Sequence, residues 1–136
     1  MSVFTTGRRF WPQRLVHDGV EVAADYEDLL RRADFVTFHL PLNRFTRGML
    51  AAAQIELMKP TACVINVARG GLLVEPALLE AIDRGRLAGA TLDVFREEPL
   101  PPGHPFWRHP RIRVTPHVAA VTLVEESAAQ VAAKLR

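Results

Sequence analysis

Short apolar runs rich in β-branched residues alternate along this chain with longer stretches of helical period, the pattern of repeated βα units around a parallel sheet. Phe35 to Leu40, Cys63 to Val67, Ala90 to Phe95 and Ile112 to Val114 read as strands, and Ser2 to Thr6 as a further one. Their apolar positions run on without polar alternation, so each strand is expected to be buried on both faces. Asp25 is placed to cap a helix over Tyr26 to Arg32, with Asp28 three residues on in a capping-box arrangement and Leu29 and Leu30 as the apolar face. A short helix over Ala51 to Met58 must stop before Pro60. Pro76 and Gly85 bracket a third helix, Pro76 to Arg84, with Leu78, Leu79 and Ile82 turned inward. A last helix is expected from about Thr122 to Leu135, with Val124, Ala128, Val131 and Leu135 at helical spacing. The segment Glu97 to Pro110 holds five prolines and is expected to be a long ordered loop, Trp107 either anchoring it or forming a dimer contact.

Composition narrows the class. The chain has 136 residues, 49% hydrophobic and 24% charged, which suits one globular domain able to bury roughly two-thirds of its unfolded surface. Seventeen basic against fifteen acidic residues leave a net charge of +2, and no basic block marks a nucleic-acid partner. No apolar run approaches the ~20 residues that cross a bilayer, and the N-terminus lacks the pattern of a signal peptide. Cys63 is the one cysteine; its apolar neighbours suggest a buried, inert thiol in a reducing cytoplasm.

Three polar residues each follow a predicted strand: Arg69, Glu98 and His117. In a parallel sheet these strand ends converge on one edge, where ligands bind. An arginine grips a carboxylate with a two-pronged fork, a histidine moves a proton near neutral pH, and a glutamate bonded to that histidine holds its tautomer. The trio suits acid/base chemistry on a small carboxylate, and for each residue alone a surface ion pair or a turn cap is the competing reading. His39 reads as a strand-end residue; His17, His104 and His109 read as surface or loop histidines, and none has metal-ligand spacing. Gly70 and Gly71 read as turn residues.

From about Asp25 onward the chain resembles the nucleotide-binding domain of the D-isomer-specific 2-hydroxyacid dehydrogenases. The resemblance is carried by Ala33 to Leu42 (ADFVTFHLPL), Met58 to Gly71 (MKPTACVINVARGG), Leu87 to Phe95 (LAGATLDVF), Glu98 to Pro101 (EPLP) and Thr115 to His117 (TPH). His104 to Pro110 and the His117-Val118-Ala119-Ala120 ending are most similar to the glyoxylate/hydroxypyruvate reductase branch. It implies that Arg69 holds the substrate carboxylate and carbonyl, that His117 protonates the carbonyl oxygen, and that Glu98 is its carboxylate partner. It further implies that Asp93 accepts from the nicotinamide carboxamide, that Asn66, Val67 and Ala68 line the nicotinamide side, and that Leu40, Pro41 and Leu42 form the adenine-side loop. A solvated strand-end carboxylate is the alternative for Asp93. Family members are expected to be cytoplasmic homodimers acting on small 2-keto or 2-hydroxy acids, with no nucleic-acid or membrane partner.

The resemblance also implies something missing. The sequence contains no G-x-G-x-x-G turn to hold pyrophosphate on a helix N-terminus. If residues 1–6 correspond to the second strand, the expected fold is an incomplete Rossmann-type doubly wound α/β sheet lacking the first strand and the glycine turn. Residues 1–136 are then a partial NAD(P)-binding domain without the substrate-binding domain, marginally stable or self-associating at its open sheet edge. After that second strand stand Arg8 and Arg9 where an acidic residue would select NAD, so NADP(H) is favoured over NAD(H). Three expectations follow: a reductase of glyoxylate- or hydroxypyruvate-like acids, with a phosphoglycerate dehydrogenase type as alternative; a non-catalytic remnant; or a corepressor-like regulator.

Overall fold

The computed structural model describes residues 3–5, 20–119 and 133. Its elements are β1 (Val3–Thr5), β2 (Val20–Val22), α1 (Tyr26–Arg32), β3 (Phe35–Phe38), α2 (Ala52–Ile55), β4 (Cys63–Asn66), α3 (Glu75–Asp83), β5 (Gly89–Leu92) and β6 (Ile112–Val114), with 3₁₀ turns at Gly70–Leu72 and Pro105–Arg108. β3, β4, β5 and β6 form a four-stranded parallel sheet in that order, and β1 pairs in parallel with β2. Among the described residues no ladder joins these two sheets. The expected last helix, His17, Arg8 and Arg9 lie outside the described residues, apart from Ala133, which is helical and exposed.

The register places Val36, Val64, Ala90 and Ile112 side by side, with Phe38, Asn66 and Leu92 two residues on, all on one face. That face is buried against Leu30 of α1, Ile55 of α2 and Leu78 and Ile82 of α3 in a single core. The opposite face carries Phe35, Thr37, Cys63, Ile65, Thr91 and Arg113. Burial on both faces is not met there: Phe35 is 62% exposed and Cys63 only half-buried. The physical reason is that the described crossover helices pack on the first face alone.

Local chemistry explains the helix ends. The Asp25 Oδ1 accepts from the Asp28 amide at 2.8 Å while Asp28 Oδ2 accepts from the Ala24 amide at 3.1 Å, a reciprocal cap reaching one residue further out than a capping box. α2 is shorter than Ala51–Met58, because Leu57 and Met58 donate to Gln54 and Ile55 in tighter turns before Pro60. α3 begins at Glu75, with Pro76 in its first turn, and is closed by Gly85 at φ 72°. Leu79 is half-buried and Ala81 takes the inward place beside Leu78 and Ile82.

β3, β4 and β5 end before their apolar runs do. Val94 and Phe95 are buried in the loop beyond β5, where the Phe95 amide donates to Glu98 rather than to a ladder partner. The proline-rich segment is ordered around Phe106, which is buried, while Trp107 is half-exposed and its Nε1 donates to the Pro101 carbonyl at 2.9 Å. His104 Nδ1 accepts from the Phe106 amide, and His109 bridges Asp83 and the Arg111 amide, so both loop histidines have structural partners.

Candidate active site

The carboxyl ends of β4, β5 and β6 deliver Arg69, Glu98 and His117 to one edge of the sheet. His117 Nδ1 lies 2.8 Å from Glu98 Oε2. A carboxylate only accepts, so Nδ1 carries the proton and Nε2 is left to exchange one. Burial pushes the Glu98 carboxyl up, but the His117 hydrogen bond, the Phe95 amide and the charges of His117 and Arg69 outweigh it and hold the group below its ordinary value. The Arg69 Nη1 donates to the Ala68 carbonyl at 2.6 Å and its side chain is exposed. Glu98 and His117 come together, and Arg69 stands at the neighbouring strand end. A cavity of about 470 Å³ opens beside Glu98 and His117, walled by Phe95, Leu100, Trp107 and Pro116.

Asp93 is not a solvated carboxylate: it is 1% exposed. Its Oδ1 accepts from the Thr115 hydroxyl and the Val118 amide, and Oδ2 from the Ala119 amide at 2.9 Å. Burial raises this carboxyl, and the donors with the His117 charge lower it by more, leaving it below the ordinary carboxylate range. Asn66 is fully buried, its Oδ1 accepting from the Ala68 amide and its Nδ2 donating to the Arg69 carbonyl. Val67 and Ala68 are half-buried in the turn it closes; Leu40 and Pro41 are exposed and Leu42 half-buried beyond β3. Arg69, Glu98, Asp93 and Asn66 are thus gathered on adjacent strand ends, with Leu40 to Leu42 at the next strand. His39 Nε2 meets Thr37 Oγ1 at 2.9 Å.

Gly70 and Gly71 do form a turn, but space selects them. A β-carbon on Gly70 would collide with the Phe95 carbonyl, and one on Gly71 would lie 2.8 Å from a Leu42 methyl. Thr115 is the residue that sequence reasoning passed over; its place directly before Pro116-His117, at the end of β6 and level with Asp93, was the available signal. Among the described residues there is no cluster of three or more His, Cys, Asp or Glu able to hold a metal, and no helix long and apolar enough to cross a membrane.

Asp93 and Glu98 predict an acid response. A carboxyl lower in the folded than in the unfolded chain favours folding above its ordinary value near pH 4, and that contribution is lost as pH falls through the lowered value. Thermal midpoints will hold from neutrality to about pH 5 and fall below about pH 4. Glu98→Gln will show a shallower acid limb; a limb as steep as the parent's refutes the role given to Glu98.

A parallel α/β sheet with a histidine–carboxylate pair and an arginine at its carboxyl edge has the layout of an α/β domain that binds its ligand outside the strand ends. The profile of the "D-isomer specific 2-hydroxyacid dehydrogenase, NAD binding domain" family matches residues 1–119, and the chain belongs to that family. It is 46% identical over 141 residues to glyoxylate/hydroxypyruvate reductase A of Serratia proteamaculans, covering 99% of this chain and 44% of that protein. It is 45% identical over 111 residues to D-3-phosphoglycerate dehydrogenase of Methanocaldococcus jannaschii, covering 82% of this chain and 21% of the other. The NADPH-dependent glyoxylate/hydroxypyruvate reductase of Sinorhizobium meliloti, solved with NADP and sulfate, superposes with a TM-score of 0.81 at 37% identity, over 97% of this chain and 42% of that one. The chain spans less than half the length of these relatives. It is an NAD(P)-binding domain of an oxidoreductase family, with a Rossmann-like parallel sheet.

Proposed function

We propose that this chain supplies the nicotinamide-facing edge and the acid/base pair of an enzyme that reduces a small 2-keto acid, glyoxylate- or hydroxypyruvate-like, to the D-2-hydroxy acid. The observation that carries the reading is the 2.8 Å His117–Glu98 pair at the sheet edge to which the turn after β4 also brings Arg69. The residues present fit the two ends of the cofactor: Leu40 leaves an apolar surface 39% exposed beyond the end of β3, and the Val67–Ala68 turn stands at the neighbouring strand end. Leu40, Pro41 and Leu42 would hold the adenine side, and Asn66, Val67, Ala68 and Asp93 the nicotinamide side. Bound NADPH supplies the hydride.

The chain's own residues supply the rest. Arg69 pairs with the substrate carboxylate and orients its carbonyl. His117 Nε2 gives its proton to the carbonyl oxygen, leaving a neutral imidazole, and Glu98 holds the Nδ1 proton throughout and so fixes the ring's orientation. Arg8 and Arg9 favour the 2′-phosphate of NADP(H). This reading places the parent enzyme in the cytoplasm as a homodimer through this domain, with residues 1–136 as a partial nucleotide-binding domain. A phosphoglycerate-type substrate is the second reading, favoured by the similarity to the Methanocaldococcus dehydrogenase.

Fluorescence titration of the purified chain with NADPH and NADH tests the proposal. Micromolar binding, tighter for NADPH by about tenfold, is the expected result, a difference of about 1.4 kcal/mol. Absence of binding to either at millimolar cofactor would overturn the claim that this chain holds the cofactor and leave it a non-catalytic module.

A further inference from the structure

Among the described residues only two polar side chains are buried, Asn66 and Asp93. They stand side by side: Asn66 ends β4, Asp93 follows the end of β5, and the Asp93 amide donates to the Asn66 carbonyl at 3.0 Å. Burying an amide and a carboxylate is costly unless their polar atoms are bonded. Both are bonded, and their side chains serve loops instead of strands.

Asn66 closes Val67 to Arg69 into a turn from within, receiving the Ala68 amide on Oδ1 at 3.1 Å and giving Nδ2 to the Arg69 carbonyl at 3.0 Å. Asp93 closes Thr115 to Ala119 in the same manner, with the Thr115 hydroxyl on one side of His117 and the Val118 and Ala119 amides on the other. Within that second turn His117 has φ 54°, the one non-glycine residue in the left-handed region among the described residues. A side chain with a β-carbon stays there only when its surroundings hold it. Asp93 provides that hold, and it turns His117 so that Nδ1 reaches Glu98.

We infer that Asn66 and Asp93, with Thr115, are positioning residues: Asn66 fixes the turn that presents Arg69, and Asp93 with Thr115 fixes the turn that presents His117. Their adjacency sets the spacing between the two presented groups. The inference rests on the proposed roles of Arg69 and His117, and it adds the layer beneath them. It leaves room for Asp93 to serve the nicotinamide as well, since its Oδ2 accepts one bond from the chain.

The test uses the full chain without cofactor, so its failure is separate from a failure to bind NADPH. Carbon-detected NMR follows the Glu98 carboxyl titration, and nitrogen NMR follows the His117 ring. Glu98 faces His117, Arg69 and the Phe95 amide, and its midpoint reports whether the first two stay in place. Asp93→Asn keeps one acceptor oxygen and puts an NH2 donor in place of the other, so the three donors can no longer all be accepted and the His117 turn relaxes. The Glu98 midpoint then rises toward the ordinary carboxylate value and the Nδ1–H signature of the pair is lost. Asn66→Ala is expected to raise the Glu98 midpoint by less, through Arg69 alone, and to leave the His117 ring signals unchanged. Thr115→Val keeps the carboxylate and two donors and should shift both readings in the Asp93→Asn direction by a smaller amount. Should Asp93→Asn fail to fold, Thr115→Val decides. Folded variants with a lowered thermal midpoint but with the Glu98 midpoint and His117 signals of the parent would show a purely structural role and overturn the inference.

Discussion

Replacing Gly70 by alanine will destabilise the chain by about 3 kcal/mol or more, lowering its thermal midpoint by roughly 10 °C or more, while Gly103→Ala will stay within about 0.5 kcal/mol. The difference comes from what each new methyl would meet. On Gly70 it would fall against the Phe95 carbonyl and within 2.5 Å of the Arg96 nitrogen; on Gly103 nothing lies within 4 Å. Backbone cannot swing aside as a side chain can, so the Gly70–Leu72 turn and the loop after β5 must part. Those two segments carry Arg69 and Glu98, so their separation should also release the Glu98 carboxyl from the Arg69 charge. Equilibrium urea or thermal unfolding of the two variants beside the parent checks the prediction. Equal stability of Gly70→Ala and Gly103→Ala would refute the close approach.

That contact also shows what was legible in the sequence. The strand-turn order Asn66-Val67-Ala68-Arg69-Gly70-Gly71 marks a turn after a buried strand, and the site trio was readable because parallel strands send every carboxyl end to the same edge. The reason for Gly70 was not readable, since the atoms it must admit belong to a loop 25 residues further along the chain. α1 was legible because its Asp25 cap and its apolar face lie within a few residues of one another. α2 was overextended because Leu57 and Met58 suit a helix as well as the residues before them, and only their tighter bonds to Gln54 and Ile55 end it.

The strand ends show the same limit. Val94 and Phe95 are as apolar as Leu92, and only burial in the following loop, with Glu98 taking the Phe95 amide, separates them from the strand. Burial on both faces was expected from continuous apolarity. Phe35 and Ile65 keep that pattern, but no described helix packs on their face. For Asp93 the sequence left a solvated or a cofactor-facing carboxylate. The hydroxyl and amides that occupy it are more than 20 residues away, in the turn beyond β6, so only the paired strands reveal them.

The proline-rich loop carries the second large effect, with Phe106 as its anchor rather than the more conspicuous Trp107. Phe106 is 1% exposed and belongs to the same core as Leu92 and Ile112. Phe106→Ala removes a buried ring from a site framed by β6 and the 3₁₀ turn, and is expected to cost about 3–5 kcal/mol. Trp107→Phe keeps a ring in place and deletes only the Nε1 bond to the Pro101 carbonyl in a half-exposed position, at about 1 kcal/mol. Unfolding measurements on the pair separate the two roles. The loss at Phe106 should reach the site as well, because the loop it pins follows directly on Glu98 and walls the cavity beside His117. Proteolysis within residues 99–105 should accelerate in Phe106→Ala and stay near the parent rate in Trp107→Phe. A reversed order would make Trp107 the anchor and leave the buried ring without the role its position gives it.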